Sequence, residues 1–525
     1  MAQQESEDRT VPQGRRKPSP TGGVEPRGGG KAVPVEEVDR RQPLFFATAD
    51  NPRRGRGADR TRFGDRSPAR VRPAPKAKSK RRQAGPATME EVIERLDAAF
   101  DAVEANEGAP GPDRQTVTLV RSRWPTLRPK LGAALSEGTY QPGDIRRVWI
   151  PKASGGQRGL GIPNVVDRVV QEAVRLVLEP LYEPTFHPSV HGFRPHRSCH
   201  TAIAEARSYV AEGHEWVVDI DLKSFFDRVN HQRLMSRLAQ RVHDKPLLAL
   251  IGRMLKAKVV MPDGVRVATE EGVPQGGPLS PLLSNIVLSE LDEELARRGL
   301  RFVRYADDAN IYVRSERAGQ RVMGSITRFI QSRLRLEVNA SKSAVARPET
   351  RHFLGFRLYP HGGERPGILL SERSRKRLRE RIGELTPRTQ GRSLQATILR
   401  INESLKGWAG FFSICTPGIE RDLRWADAHL RRRLRALVLQ HWRRRRTIAR
   451  RLIGLGTSRK TAWQQVYAGR KSLWALSHAP AVDRALRNAY FAQRGLMSLV
   501  DYFRRIWAAP VAPRQLLLAW DVPRS

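Results

Sequence analysis

Arg304-Tyr305-Ala306-Asp307-Asp308-Ala309-Asn310 lies near the middle of the chain. Apolar-rich runs flank it, Arg301-Phe302-Val303-Arg304 before and Ile311-Tyr312-Val313-Arg314 after. Both runs alternate and carry β-branched or aromatic residues, so each predicts a strand. Asp-Asp-Ala-Asn between them is turn chemistry, because short polar side chains hydrogen-bond the nearby backbone. The expected unit is a β-hairpin with two carboxylates at its tip. Adjacent carboxylates repel unless a positive charge sits between them, and Mg²⁺ is the obvious candidate. An ordinary surface hairpin with an acidic turn would read the same way on this stretch alone, so the decision rests on the rest of the chain.

Composition narrows the partners. The chain has 525 residues, room for about three or four domains. Its 94 Lys and Arg outnumber 54 Asp and Glu, leaving a net charge of +40 that calls for a polyanionic partner, nucleic acid first. A hydrophobic fraction of 39% is enough to form a core. The two cysteines, Cys199 and Cys415, are far apart, which excludes a disulfide scaffold or a Cys₄ zinc module and fits a reduced, intracellular protein. No run approaches the ~18 apolar residues of a membrane span, and no signal-peptide core is visible at the N-terminus.

Residues 1–85 are rich in Gly, Pro, Arg and Ser and lack a hydrophobic period, so a disordered basic arm is expected. Order starts at Thr88, where Thr88-Met89-Glu90-Glu91 reads as a capping box before Val92, Leu96, Phe100 and Val103. Arg146-Arg147-Val148-Trp149-Ile150-Pro151-Lys152 predicts a strand entering a Gly155-Gly156 turn. Lys152 and Arg158 flank that turn in the manner of a phosphate-gripping hairpin. Residues 167–182 predict a helix with a broad apolar face. His191 and His196 have no partner at metal-ligand spacing. Trp216-Val217-Val218-Asp219-Ile220-Asp221 predicts a strand that delivers Asp219 and Asp221 on one face. Acids on a buried strand need a cation or hydrogen-bond donors.

Gly272-Val273-Pro274-Gln275-Gly276-Gly277 is a loop built for close backbone approach, with Ser280 placed as N-cap and Pro281 as first helical residue of the next helix. A further helix is expected over 325–334. Beyond residue 372 the chain becomes helical and very basic, and a single helix is expected over 423–453. Leu430, Leu434, Leu437, Val438 and Trp442 form its core stripe, while Arg431, Arg432, Arg433, Arg435, Arg443, Arg444, Arg445 and Arg446 crowd the other faces. Acids are scarce there, so these charges cannot neutralise one another, and an RNA-facing helix is expected. Trp463, Trp474, Tyr490, Phe503 and Trp507 lie farther on among basic residues, a mixture that suits nucleic-acid contact or packing.

These blocks occur in an order that resembles the fingers and palm of a group II intron reverse transcriptase. They are Ile150-Pro151-Lys152, Gly161-Ile162-Pro163, Gly192-Phe193-Arg194-Pro195, Asp221-Leu222-Lys223, Pro274-Gln275-Gly276, Tyr305-Ala306-Asp307-Asp308 and Phe353-Leu354-Gly355-Phe356. The departures are Gly159, where the family usually has Pro, and Glu107, where it often has Lys. The fold this resemblance implies is α+β: a right-hand polymerase with fingers and palm over 86–370, the palm an antiparallel sheet backed by helices. A helical thumb, or maturase X domain, follows over 371–456, and a basic, helical, DNA-binding region over 457–525.

The resemblance also implies roles. Asp221, Asp307 and Asp308 are the catalytic carboxylates holding two Mg²⁺, with the Leu222 carbonyl as a further ligand, and Asp219 is structural. Lys152 and Arg158 hold the triphosphate of a dNTP. Phe226 blocks the 2′-hydroxyl, Gln275 lines the nucleotide pocket, and Lys342 is a proton donor to pyrophosphate. Arg431, Arg432, Arg435, Arg443, Arg444 and Arg445 bind nucleic acid. The implied activity is RNA-directed DNA polymerisation with a maturase role in splicing and retromobility. Its partners are structured intron RNA, an RNA template and a DNA primer or target, in the bacterial cytoplasm at the nucleoid and without a membrane. A splicing-only RNA-binding maturase and a reverse transcriptase domesticated for phage defence or DNA repair are the alternatives.

Overall fold

The computed structural model describes residues 87–151, 156–361, 365–387, 391–469 and 472–508. The arm expected over 1–85 lies outside the described residues, as does Lys152. At the first helix Thr88 accepts the Glu91 N–H at 3.3 Å, and helical turns run over Met89–Glu94 and Leu96–Ala105 with a break at Arg95. Val92, Leu96, Phe100 and Val103 all point into the core, as their spacing requires.

Strand β1 (Ile145–Pro151) pairs antiparallel with β2 (Gln157–Ile162), the hairpin expected around the double glycine. Strand β3 is Trp216–Ile220, and the short β4 (Val259–Val260) and β5 (Arg266–Val267) complete the first sheet in the order β2-β1-β4-β5. The quoted hairpin is β6 (Arg301–Tyr305) and β7 (Asp308–Val313), paired antiparallel down to Tyr305 opposite Asp308. The turn is therefore tighter than its composition predicts. Ala306 and Asp307 alone make it, and Asp308 already belongs to the returning strand. With β8 (Ala344–Ala346) these strands form the antiparallel sheet β6-β7-β3-β8. A separate ribbon pairs β9 (Phe356–Tyr359) with β10 (Gly367–Leu370).

The central sheet separates two cores, because successive side chains on a strand point to opposite faces. Val218, Ile220, Phe302, Ile311 and Val313 face a core shared with the helices Val165–Tyr182, Ser280–Arg297 and Glu316–Phe329. Val217, Val303 and Tyr312 face a second core built with Cys199–Ala211 and the C-terminal helices. Both faces being covered explains why neighbouring positions such as Val217 and Val218, or Ile311, Tyr312 and Val313, are all apolar.

Two expected helices differ in detail. Ser280 is the first residue of its helix rather than its cap, and its hydroxyl donates to the Pro274 carbonyl at 2.6 Å, so it holds the preceding loop. The helix expected over 423–453 is two, Glu420–Trp442 and Arg445–Gly454, broken at Arg443, whose φ is +55°. Leu430, Leu434, Leu437, Val438 and Trp442 are all buried, as the stripe predicts. Among the described residues no helix is long and apolar enough to cross a membrane.

Phe356 ties the central sheet region to the helical one. It is fully buried, with its ring 5.5 Å from Phe411 and 5.1 Å from Phe412. Truncation to Ala is expected to destabilise the protein by about 3–5 kcal/mol, read as a lower urea midpoint. An unchanged midpoint would show that the two regions do not depend on this contact.

Candidate active site

The hairpin tip is held from behind. Arg304, the residue before Tyr305, is fully buried. Its guanidinium grips Asp292 through two bonds of 2.7 and 2.6 Å, and donates to Asn285 Oδ1 at 3.0 Å and to the Ala306 carbonyl at 2.8 Å. A buried guanidinium is costly unless paired and hydrogen-bonded, and here all three nitrogens have partners. Ala306 needs such support because its φ is +57°, a region that non-glycine residues seldom adopt.

The Asn285 amide in turn donates to the Gly192 carbonyl at 2.9 Å. The Gly192 backbone lies so close to the tip that a Cβ there would sit 2.2 Å from the Ala306 nitrogen, which is why this position must be glycine. His191 N–H donates to the Arg304 carbonyl and Arg304 N–H to the Ser189 carbonyl. The His191 ring is engaged by Thr201 Oγ1 at 2.8 Å and Glu205 Oε2 at 2.7 Å. The Gly192-Phe193-Arg194-Pro195 block is thus a brace for the carboxylate tip.

Register brings the third carboxylate to it. Val217 pairs with Tyr312 and Asp219 with Asn310, so continuing the ladder sets Asp221 opposite Asp308 on the same face. Asp219 is neutralised by Arg351, whose guanidinium donates to Oδ2 at 2.9 and 2.5 Å, in keeping with a structural role. Asp221 has the Lys342 ammonium 3.6 Å from Oδ2. The Asp221 carbonyl accepts from Asn339, and Lys223 donates to the Glu337 carbonyl. Strand alternation then turns the Leu222 carbonyl away from that neighbour, to the β7 side where Asp308 begins.

The carboxylates are electrostatically unsettled. Asp307 is raised from the ordinary carboxylate value by desolvation and by Asp221, with Arg158 and Arg304 pulling it back. Asp308 is pushed up to about 7, first by desolvation in crowded surroundings, then by Asp307, Asp219 and Asp221, with Lys342 opposing. The Asp308 residue is nonetheless exposed at the surface, so a cation can reach the repelling carboxylates. Among the described residues no three His, Cys, Asp or Glu side chains are already spaced to hold a metal ion. In kind, however, the donors fit Mg²⁺: hard anionic oxygens whose mutual repulsion a divalent cation relieves.

Above the carboxylates stands the β1–β2 hairpin. Arg158, exposed on β2, acts on Asp307 through its charge. At Gly159, the departure from the family pattern, a Cβ would lie 2.4 Å from Arg147 Nη1, the movable end of a side chain that rests over the Trp149 ring at 5.7 Å. The Gln275 loop joins the hairpin to the 3-10 turn Phe225–Asp227 that follows β3. The Gln275 carbonyl accepts from Gly161 N–H at 2.6 Å, and Val273 N–H donates to the Phe226 carbonyl at 2.6 Å. Phe226 is half-buried, edge-on to Phe225 at 5.2 Å. The loop at Gln275 is thereby fastened both to the strand that carries Arg158 and to Phe226.

The six helical arginines are not equivalent. Arg435 is turned inward, donating to the Leu486 carbonyl at 2.9 Å and pairing with Asp483 at 2.5 Å. Arg445 donates to the Val466 and Gly469 carbonyls at 3.4 and 3.0 Å. Arg432 lies 3.9 Å over the Trp474 ring, and Arg431 is half-buried. Arg443 and Arg444 stand exposed at the helix break.

Sequence reasoning missed Arg304, Asp292 and Asn285. The available signal was two polar residues on the apolar face of the helix around Leu288, Leu291 and Leu295.

The fold and site define a right-hand polymerase: a palm carrying three carboxylates beneath a basic fingers hairpin. Residues 150–358 match the family "Reverse transcriptase (RNA-dependent DNA polymerase)", and residues 375–453 match "Group II intron, maturase-specific domain". A region matching reverse transcriptases is thus followed along the chain by one matching group II intron maturase domains. Similar curated proteins include Protein YkfC of Escherichia coli (strain K12), 40% identical over 195 residues covering 36% of this chain and 51% of that protein. Group II intron-encoded protein LtrA of Lactococcus lactis subsp. cremoris is 41% identical over 176 residues, 33% of this chain and 29% of LtrA. The Retron Mx65 reverse transcriptase of Myxococcus xanthus is 31% identical over 208 residues, 38% of this chain and 47% of that protein. Each match spans about half of the relative's length or less.

Two outcomes test the site. Arg304→Met strands Asp292 as a buried unpaired charge and is expected to cost about 3–5 kcal/mol in urea unfolding, whereas Arg304→Met with Asp292→Leu recovers much of it. Asp308 carries a folded-state pKa above its unfolded one, so its contribution to metal-free stability is whole below the ordinary carboxylate range and lost as pH rises through about 7. The metal-free protein should melt lower at about pH 8 than at about pH 5.5, with Mg²⁺ raising the melting temperature mainly at the higher pH. Melting indifferent to Mg²⁺ at both would reject the carboxylates as its site.

Proposed function

We propose that this protein is an RNA-directed DNA polymerase that also binds structured intron RNA, promoting its splicing and retromobility. The observation that carries the first part is Asp221 set opposite Asp308 beside Asp307, with Arg158 facing Asp307 from the fingers. The maturase-specific domain and the exposed Arg443 and Arg444 support the second.

In this reading a primer 3′-hydroxyl attacks the α-phosphate of a dNTP. The new O3′–P bond forms as the bond to pyrophosphate breaks. Two Mg²⁺, held by Asp221, Asp307, Asp308 and the Leu222 carbonyl, would supply charge stabilisation on the attacking and leaving oxygens. Arg158 offsets the negative charge of the triphosphate, a task in which the sequence also places Lys152. Phe226, pinned by its carbonyl to Val273, stands against the sugar and excludes a 2′-hydroxyl. Gln275 lines the same pocket from the loop fastened to β2. Lys342, exposed and beside Asp221, donates a proton to the departing pyrophosphate. Asp219 stays bound to Arg351 and takes no part in the chemistry. The protein's remaining positive charge holds template, primer and intron RNA by their phosphates, in the bacterial cytoplasm at the nucleoid.

Primer extension on an RNA template is the direct test. The parent protein should extend a DNA primer with dNTPs and Mg²⁺, and Asp307→Ala with Asp308→Ala should abolish extension while leaving RNA binding in place. Extension surviving that double substitution would sink the assignment. Protein that promotes splicing yet never extends a primer would favour the splicing-only maturase instead.

A further inference from the structure

Glu205 lies on the helix Cys199–Ala211, outside the row of carboxylates at the tip. Three donors converge on its largely buried side chain. The Ser189 and Tyr209 hydroxyls donate to Oε1 at 2.5 and 2.6 Å, and His191 Nε2 meets Oε2 at 2.7 Å. Burial alone would raise this carboxyl, but the bonds from His191, Ser189 and Tyr209 outweigh it and hold it below the ordinary value. An ionised carboxylate only accepts, so Nε2 is the donor to it. The other ring nitrogen faces Thr201 Oγ1 at 2.8 Å, and that hydroxyl gives its own proton to the Ser198 carbonyl at 2.8 Å.

The two residues that Glu205 holds flank one point of the backbone. Val190 bridges Arg304 in parallel, the Arg304 N–H donating to the Ser189 carbonyl at 2.9 Å and the His191 N–H to the Arg304 carbonyl at 2.8 Å. The segment is an extra length of strand on the outer edge of β6, joined by two backbone bonds only. So short a pairing does not hold itself in place. Ser189 and His191, two residues apart, share a face, and one carboxylate takes both side chains. Gly192 follows directly and abuts the Ala306 backbone.

We propose that Glu205 is a positioning residue for nucleotide addition. By pinning Ser189 and His191 it fixes the backbone from Arg304 to Ala306, and through it sets where Asp307 and Asp308 stand. It touches neither substrate nor metal. The inference rests on the polymerase reading above.

The test uses the full chain with Glu205→Leu and Glu205→Gln. Leucine fills the space and accepts from nothing. Glutamine keeps every partner, its Oε1 accepting from both hydroxyls and its amide donating to His191 Nε2 while Nδ1–H still reaches Thr201. In primer extension at saturating Mg²⁺, kcat per folded molecule should fall about 10- to 100-fold in Glu205→Leu and return close to the parent rate in Glu205→Gln. KM for dNTP should not change, because Arg158, Gln275 and Phe226 are not mounted on this helix. The Mg²⁺-induced rise in melting temperature should shrink in Glu205→Leu and persist in Glu205→Gln. If Glu205→Leu does not fold, Ser189→Ala removes one of the two side-chain holds and should lower kcat with KM again unchanged. The proposal is overturned if the folded variant extends at the parent kcat, if Glu205→Gln is as impaired as Glu205→Leu, or if KM alone moves. A parent protein whose Mg²⁺ response depends on Glu205 in this way but never extends a primer would defeat the polymerase reading and leave the positioning role standing. A parent with neither response would overturn both.

Discussion

The Arg304–Asp292 pair is the contact on which the candidate active site depends. It is buried, bidentate and linked through Asn285 to Gly192, so three distant parts of the chain meet behind one two-residue turn. The turn itself is unfavourable, with Ala306 in a left-handed conformation and adjacent carboxylates beyond it. Local sequence preference does not hold such a tip still. A charged pair enclosed by the core does, because breaking it would strand a charge in a low-dielectric interior. Its role is therefore geometric as much as energetic: it sets where Asp307 and Asp308 stand relative to β3.

The front of the site has the opposite character. Behind the tip Arg304 is matched by Asp292, whereas before it Asp221, Asp307 and Asp308 crowd together, with Lys342 and Arg158 opposing them. Asp219, which belongs to the same row and still repels Asp308, is itself bridged by Arg351. The contrast separates supporting from reacting groups on physical grounds. Burial raises Asp219, Asp307 and Asp308 alike; what separates them is that Asp219 has a guanidinium within hydrogen-bond distance, whereas Asp307 and Asp308 crowd one another.

The helical region shows a similar division among its arginines. Arg433 and Arg435 use their N–H groups on carbonyls and side chains of their own chain, stitching Glu420–Trp442 to the segments around Thr386 and Leu486. Arg443 and Arg444 face solvent, because the left-handed break at Arg443 ends the helix and swings them clear. A run of basic residues is thus not one binding surface. Part of it is internal scaffolding, and the part left for nucleic acid is chosen by where the helix stops.

The sequence by itself determined the strands around Asp307 and Asp308, the apolar stripe from Leu430 to Trp442, and the alternation that puts Asp219 and Asp221 on one face. These follow from periodicity and turn chemistry, which act between neighbours along the chain. The ordered blocks also made the polymerase class legible before any coordinates. Only the tertiary structure decided that Asp308 lies opposite Asp221, that Arg351 neutralises Asp219, and that Arg304 reaches Asp292. It alone separated the inward Arg435 from the outward Arg444, and moved Ser280 from cap to loop clamp. Those outcomes depend on pairings across long stretches of chain, where burial fixes which charges can remain unmatched, and spacing along the sequence carries no record of that choice.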